Sequence, residues 1–252
     1  MSNIHKLPRA SKSIRPEKIF LFDQIVQKFG VLEAAITADL YYWIFKVEKP
    51  WKVVTDYAGW FGVDEKTVRL NINKLASNKF FKMSRTRMRS GSYGANQFTK
   101  SNSSNSKALF NLYASLFNNG FDSGDFGEFE PNEPDYKENP KFQLLFMDTI
   151  KEVADIKAAY LLDRISWALN VRCQDSLYFS SKSHFARWSN MDRKTAERKL
   201  TYLEQKGLIE FELINNQLVV LTYEESPHFT RFSEFMEEKD EARKSGIIEA
   251  TG

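Results

Sequence analysis

The sequence predicts a mainly α-helical chain with small β-hairpins, an α+β protein made of two copies of one domain in tandem. Three observations predict it. Two stretches of the first half recur in the second half in the same order. In each copy, apolar residues at helical spacing give way to a period of two. The chain has 252 residues and is 42% hydrophobic, enough for two ordinary domain cores.

The duplication is legible residue by residue. Ala34 to Trp43 (AAITADLYYW) resembles Ala158 to Trp167 (AAYLLDRISW), and upstream Phe22 and Val26 match Phe146 and Ile150 at the same offset. Tyr57-Ala58-Gly59-Trp60 through Leu75 resembles Phe185-Ala186-Arg187-Trp188 through Leu203. That match sets Asp64-x-Lys66-Thr67 against Asp192-x-Lys194-Thr195. The offset grows by four residues between the two matches, which a longer loop around Cys173 to Ser176 absorbs.

Each copy opens on an amphipathic helix, with Leu32, Ile36, Leu40, Trp43 and Ile44 in the first and Ile156, Tyr160, Ile165 and Trp167 in the second. A short extended piece follows, Trp51 to Val54 or Leu177 to Ser180. Thr55 and Ser183 then suit the N-cap of a short helix ending near Gly62 or Asn190. Asp64 and Asp192 suit the N-cap of the next helix, whose inward positions are Val68, Ile72 and Leu75, or Ala196, Leu200 and Leu203. The period then becomes two. Phe80 to Met88 and Asn96 to Thr99 flank a Gly91-Ser92-Tyr93-Gly94 turn, and Leu208 to Ile214 and Gln217 to Tyr223 flank Asn215-Asn216. Asparagine tolerates positive φ, so Asn-Asn between two β-rich runs signals a tight hairpin. Helix, strand, helix, turn, helix and hairpin in this order is the winged helix-turn-helix layout.

The chain therefore divides into a basic N-terminal arm (1–18), a first winged-helix domain (19–100), an acidic and polar linker (101–140), a second winged-helix domain (141–224) and a charged C-terminal tail (225–252). Within the linker, Leu109, Phe110, Leu112, Tyr113, Leu116 and Phe117 suit a short docked helix.

Charge is distributed unevenly. The formal net charge is +3, yet the first 108 residues carry 19 basic against 8 acidic side chains. Such an excess in one domain suits a polyanion. Lone Cys173 leaves no internal disulfide and fits a reducing, cytoplasmic setting. His5, His184 and His228 lack metal-ligand spacing, and Asp122-x-x-Asp125-x-x-Glu128 does not match a calcium loop. No Gly-x-x-x-x-Gly-Lys-[Ser/Thr] phosphate loop is present. The start lacks a signal peptide's apolar stretch, and no apolar run is long enough to span a bilayer. The expectation is a non-enzymatic protein with no cofactor, no metal and no membrane partner.

In a helix-turn-helix the second helix enters the major groove while neighbouring residues and the wing hold phosphates. In copy one the outward set is Lys66, Thr67, Arg69, Leu70, Asn73 and Lys74. Arginine and asparagine form paired hydrogen bonds with guanine and adenine, so Arg69 and Asn73 suit base reading. Lys66 and Thr67, near the helix start, suit contacts to the phosphate backbone. The first wing adds Lys82, Arg85, Arg87 and Arg89, the arginines alternating along one strand. Copy two offers Arg193, Lys194, Thr195, Arg198 and Lys199, but its wing carries Glu210 and Glu212 instead of basic residues.

Ala34 to Trp43, then Thr55 to Arg69 (TDYAGWFGVDEKTVR), then the basic wing together resemble the winged-helix domains of phage and plasmid replication proteins. Two such domains joined by a linker resemble plasmid replication initiators. The resemblance covers roughly 22–100 and 146–223. It implies a protein that binds double-stranded origin DNA in repeated sites, helps open an AT-rich segment and recruits a host helicase or its loader. A homodimer is a further expected partner. Transcriptional repressors share the fold, and a scaffold touching DNA through domain 1 alone is the alternative of another class.

Overall fold

The computed structural model describes residues 17–47, 51–87, 93–118, 142–172 and 176–221. Within them one order of elements runs twice. The first half comprises β1 (Lys18–Phe22), α1 (Asp23–Phe29), α2 (Val31–Val47), β2 (Trp51–Lys52), α3 (Val54–Phe61), α4 (Glu65–Ser77), β3 (Phe81–Arg87) and β4 (Tyr93–Lys100). After α5 (Ser104–Asn118) the order returns as β5 (Phe142–Phe146), α6 (Met147–Val153), α7 (Ile156–Arg172), β6 (Ser176–Phe179), α8 (Lys182–Trp188), α9 (Arg193–Gln205), β7 (Glu210–Ile214) and β8 (Gln217–Leu221). The protein is a mixed α+β structure, mostly helical, with small antiparallel sheets of order β2-β4-β3, β6-β8-β7 and β1-β5.

The leading helix expected in each copy is present as α2 and α7, and a strand and a short helix not expected from the sequence precede it. Backbone at positive φ ends the first helix at Gly30 (φ 108°) and at Ala154 (φ 59°). Nor is α2 amphipathic, since residues 31–41 are all buried. It packs against β1, α1, α4, α5 and α7, so it has no free face to leave polar. The short helices also begin earlier than expected. Val53 precedes α3 without a side-chain cap, and Ser181, rather than Ser183, caps α8 by accepting from the His184 amide. The Asn215-Asn216 turn has both residues at positive φ, 51° and 65°, as a two-residue hairpin with matched twist requires.

The serine run from Ser101 to Ser106 is a built turn rather than open linker. Ser106 is fully buried, and its hydroxyl bonds the Tyr41 hydroxyl at 3.0 Å and the Ser101 amide at 3.0 Å. The Ser103 hydroxyl accepts from the Ser106 amide at 3.1 Å, satisfying one of the free amides at the start of α5. The helix then buries Leu109 and Tyr113, the latter stacked on Tyr41 at 5.5 Å. The remainder of the expected linker, 119–141, lies outside the described residues, as do the N-terminal arm to residue 16, Cys173 and the tail from 222.

The two halves meet through β1 and β5. These strands pair antiparallel with Lys18 opposite Phe146, Phe20 opposite Leu144 and Phe22 opposite Phe142. Phe20 and Leu144 occupy equivalent positions in the two copies, so an approximate two-fold axis passes between them. Contacts on either side are reciprocal. A Cβ added at Gly62, after α3, would lie 3.4 Å from the Ala154 carbonyl, and the counterpart Asn190, after α8, accepts a hydrogen bond from Gln27 at 2.9 Å. Helices α2 and α7, also counterparts, pack against each other. The strand pair is covered on both faces, with Leu21, Phe22 and Leu145 buried, and one continuous apolar core runs through both halves.

Candidate nucleic-acid interface

In each half the longest exposed helix face is prepared in the same way. Asp64 caps α4 by accepting from the Thr67 amide at 2.8 Å and its hydroxyl at 2.7 Å. Asp192 caps α9 by accepting from the Thr195 amide at 2.9 Å. These hydrogen bonds to the ionised form hold both carboxyls below the usual range. Val68, Ile72 and Leu75 anchor α4, and Ala196, Leu200 and Leu203 anchor α9. A second shared device sits at the end of each helix. Tyr202 donates to the Val153 carbonyl at 2.7 Å, and its counterpart Lys74 reaches the equivalent Phe29 carbonyl at 3.5 Å.

Burial of that stripe turns Lys66, Arg69, Leu70 and Asn73 to the exposed side of α4, and Arg193, Lys194 and Arg198 to that of α9. Arg69 leans on Glu65 at 2.8 Å and Arg193 on Glu197 at 2.8 Å. Both are exposed pairs of a kind worth roughly 0.3–0.5 kcal/mol, readily exchanged for another anion. Arg193 also holds the Glu197 carboxyl below its ordinary range.

Three of the expected contact residues have other occupations. The Lys74 ammonium lies 2.7 Å from Glu33 and above the Phe29 ring, against the junction of α1 and α2. Lys199 pairs with Asp155 and lies above Tyr202. The Thr67 hydroxyl is engaged with its own cap, Asp64. A helical projection gives the direction in which a side chain leaves the axis, and long stems then bend toward buried carboxylates such as Glu33. Thr195 is half-buried beside its cap.

On the first hairpin, Lys82 is exposed. Arg85 and Arg87 lie on β3 opposite Asn96 and Tyr93, with the register shifting between them. The extra residue falls on β4. Arg89 lies outside the described residues. The second hairpin differs in chemistry, exposing Glu210, Glu212, Leu213 and Ile214.

No family model, curated protein or solved structure matches the chain. Among the described residues no group of three or more His, Cys, Asp or Glu is placed to hold a metal ion, and no helix is long and apolar enough to cross a membrane.

Sequence reasoning missed one feature beneath this surface. Lys52 on β2 is buried with its ammonium 2.9 Å from Asp39, which also accepts from Tyr57 at 2.7 Å and Trp43 at 3.1 Å. The rings of Trp43 and Trp60 lie 4.8 and 5.1 Å from the same nitrogen. Burial pushes the Asp39 carboxyl up and the Lys52 ammonium down, each partner opposing the effect on the other. In the second half Phe179 occupies the place of Lys52, packed on Phe185 at 5.0 Å and Trp188 at 5.1 Å. The cluster ties the base of the first hairpin sheet to α2 and α3. Its only sequence signal was an Asp, a Lys and three aromatic residues at ordinary spacing.

Proposed function

We propose that this chain is a sequence-specific double-stranded-DNA-binding protein of two tandem winged helices, and that it acts as a plasmid or phage replication initiator. The observation that carries the reading is the paired display of α4 and α9. Each is capped by aspartate, anchored by three inward apolar residues, and exposes basic side chains on the opposite face. A strand-helix-helix-hairpin unit with such a face is the arrangement in which a helix enters a major groove and a hairpin flanks it. The basic excess of the first 108 residues, 19 against 8, supports a phosphate-facing role for that half.

The approximate two-fold between β1 and β5 gives the reading a geometry. Two helices related by a dyad meet two half-sites of opposite orientation, spaced by a whole number of helical turns. Replication initiation rests on the resemblance of the two sequence copies to initiator domains. A second role is favoured for the hairpin β7–β8. Its exposed Leu213 and Ile214 with Glu210 and Glu212 suit a protein surface, such as a helicase or its loader, better than phosphate.

Selection from random duplex DNA with the full chain tests the proposal. An enriched motif with two inverted arms is the expected result. Enrichment of nothing above background removes DNA reading and leaves the scaffold alternative.

A further inference from the structure

Aligned by their caps and core positions, α4 and α9 correspond residue by residue. Lys66 matches Lys194, Thr67 matches Thr195, and Val68, Ile72 and Leu75 match Ala196, Leu200 and Leu203. The frame is common, but the exposed residues between are not. Arg69 stands against Glu197, Asn73 against Thr201, and Leu70 against Arg198.

Leu70 is the anomaly. It lies in the middle of α4 on the face away from the core, and it is 60% exposed. Lys66 stands one turn before it, Asn73 one turn after, and Arg69 beside it, all exposed. A large apolar side chain held in water among basic and amide groups gains nothing from packing, and any polar helix-former would hold the helix equally well. The occupant it fits must be polar and anionic around a small apolar spot. Major-groove DNA offers that combination at one place, the C5-methyl of thymine, ringed by hydrogen-bonding base edges and flanked by phosphates. The counterpart position carries Arg198, exposed on α9, whose planar fork matches the O6 and N7 acceptors of guanine.

Resting on the DNA-binding reading above, we infer that the two halves read unlike sequences: α4 recognises a thymine methyl through Leu70, and α9 recognises guanine through Arg198. The target is then an inverted repeat with unequal arms, and a protein with near two-fold symmetry binds it in one direction only. An initiator that must load its machinery toward one side of an origin needs that polarity.

The full chain and its selected duplex provide the test. Each thymine in turn is replaced by deoxyuridine, which removes the methyl and keeps the base pair. One replacement in one arm should weaken binding about fourfold, the worth of one buried methyl group. Leu70→Ala should weaken binding to the thymine duplex to a similar degree and abolish the difference between thymine and deoxyuridine. Arg198→Ala should relax a guanine preference in the other arm and leave the deoxyuridine effect in place. Leu70→Arg should convert the thymine position to a guanine preference in a repeated selection. Both positions are exposed, so thermal melts of the variants should match the parent. If no replacement in either arm matters, or if the deoxyuridine effect survives in Leu70→Ala, the methyl reading is overturned while DNA binding stands. If the full chain binds no duplex selectively, the DNA-reading function itself fails.

Discussion

Replacing Lys52 by methionine removes the cation from a site in which both partners are enclosed. The side chains of Lys52 and Asp39 are 3% and 1% exposed and 2.9 Å apart. Methionine keeps most of the stem's volume, so packing against Trp43, Tyr57 and Trp60 survives and the perturbation is electrostatic. Asp39 is left as a buried carboxylate with two neutral donors, Tyr57 and Trp43. Breaking one side of a buried pair costs about 3–5 kcal/mol. For a chain of this size that corresponds to a fall in Tm of ~6–20 °C.

The double variant Asp39→Asn with Lys52→Met should recover most of that stability. Asparagine keeps an oxygen for Tyr57 and Trp43 and carries no charge. The pKa directions lead to the same expectation. A carboxyl raised by burial contributes stability only below its unfolded value, and that contribution is lost as pH rises through the raised one. An ammonium lowered by burial contributes only above its unfolded value, lost as pH falls through the lowered one. Both directions mean that burial disfavours the charged forms, so replacing both partners by neutral side chains removes a cost. In the second half Phe179 replaces the lysine, packed on Phe185 and Trp188, while the equivalent carboxylate, Asp163, stays buried and accepts from the Phe146 amide at 2.8 Å and the Thr149 hydroxyl at 2.9 Å. Urea titrations at pH 7 on the parent, both singles and the double measure the coupling, expected to be about 2 kcal/mol or more. Additive effects, or a Lys52→Met cost under about 1 kcal/mol, would refute the reasoning.

Alkaline pH should destabilise the fold through its buried tyrosines. Burial raises the Tyr41 and Tyr160 hydroxyls to about 12 and pushes Tyr57 and Tyr113 up as well. Their contribution is complete below pH 10 and is lost as pH rises toward the folded values, by up to roughly 1.4 kcal/mol per pH unit for each. Melting curves between pH 9 and 11.5 measure it, and a flat profile contradicts the burial. Changing Arg85, Arg87 and Arg89 together to alanine should weaken binding to every duplex. It should also lower the slope of log K against log salt by about one unit for each phosphate no longer neutralised. An unchanged slope takes the first hairpin off the DNA. At the second hairpin, Asn216→Gly should leave stability nearly unchanged, whereas Asn216→Val, forced to φ 65°, should cost about 1–2 kcal/mol in a urea titration. Equal stability of the two would mean that the turn relaxes.

What was legible in the sequence was local. The caps Asp64 and Asp192, the inward stripes of α4 and α9 and the Asn-Asn turn each follow from residues within one or two turns of each other. Strands β1 and β5 were not legible. Ile19-Phe20-Leu21-Phe22 is a continuous apolar run because both faces of its strand are covered, and its partner lies more than a hundred residues away. The same enclosure hid the character of α2, where Glu33, Thr37 and Asp39 are polar but buried. In α2 the alternation of polar and apolar residues marked internal partners rather than solvent. The ion pairs of Lys74 and Lys199 were not legible for the related reason that their partners, Glu33 and Asp155, belong to other parts of the chain.

Duplication poses a problem of pairing that the interface addresses. Two equivalent strands can in principle pair within a chain or with their own counterparts in a second chain. Across the approximate two-fold, Arg164 on α7 binds Asp23 at the start of α1 at 3.0 Å, with the side chains 15% and 13% exposed. Arg164 also donates to Gln143 at 3.0 Å and lies over the Trp188 ring. The positions equivalent to Arg164 and Asp23 are Leu40 and Met147, both buried. Joining two first halves through β1 would therefore set Asp23 against Leu40, and joining two second halves would set Arg164 against Met147. Either leaves a charge mostly out of water without a partner, which costs far more than the hydrogen bonds of a five-residue strand pair distinguish. The unlike pairing gives each charge its partner, and the two equivalent positions hold the buried apolar residues Leu40 and Met147. One substitution at each of two equivalent positions thus selects β1 with β5 over β1 with β1.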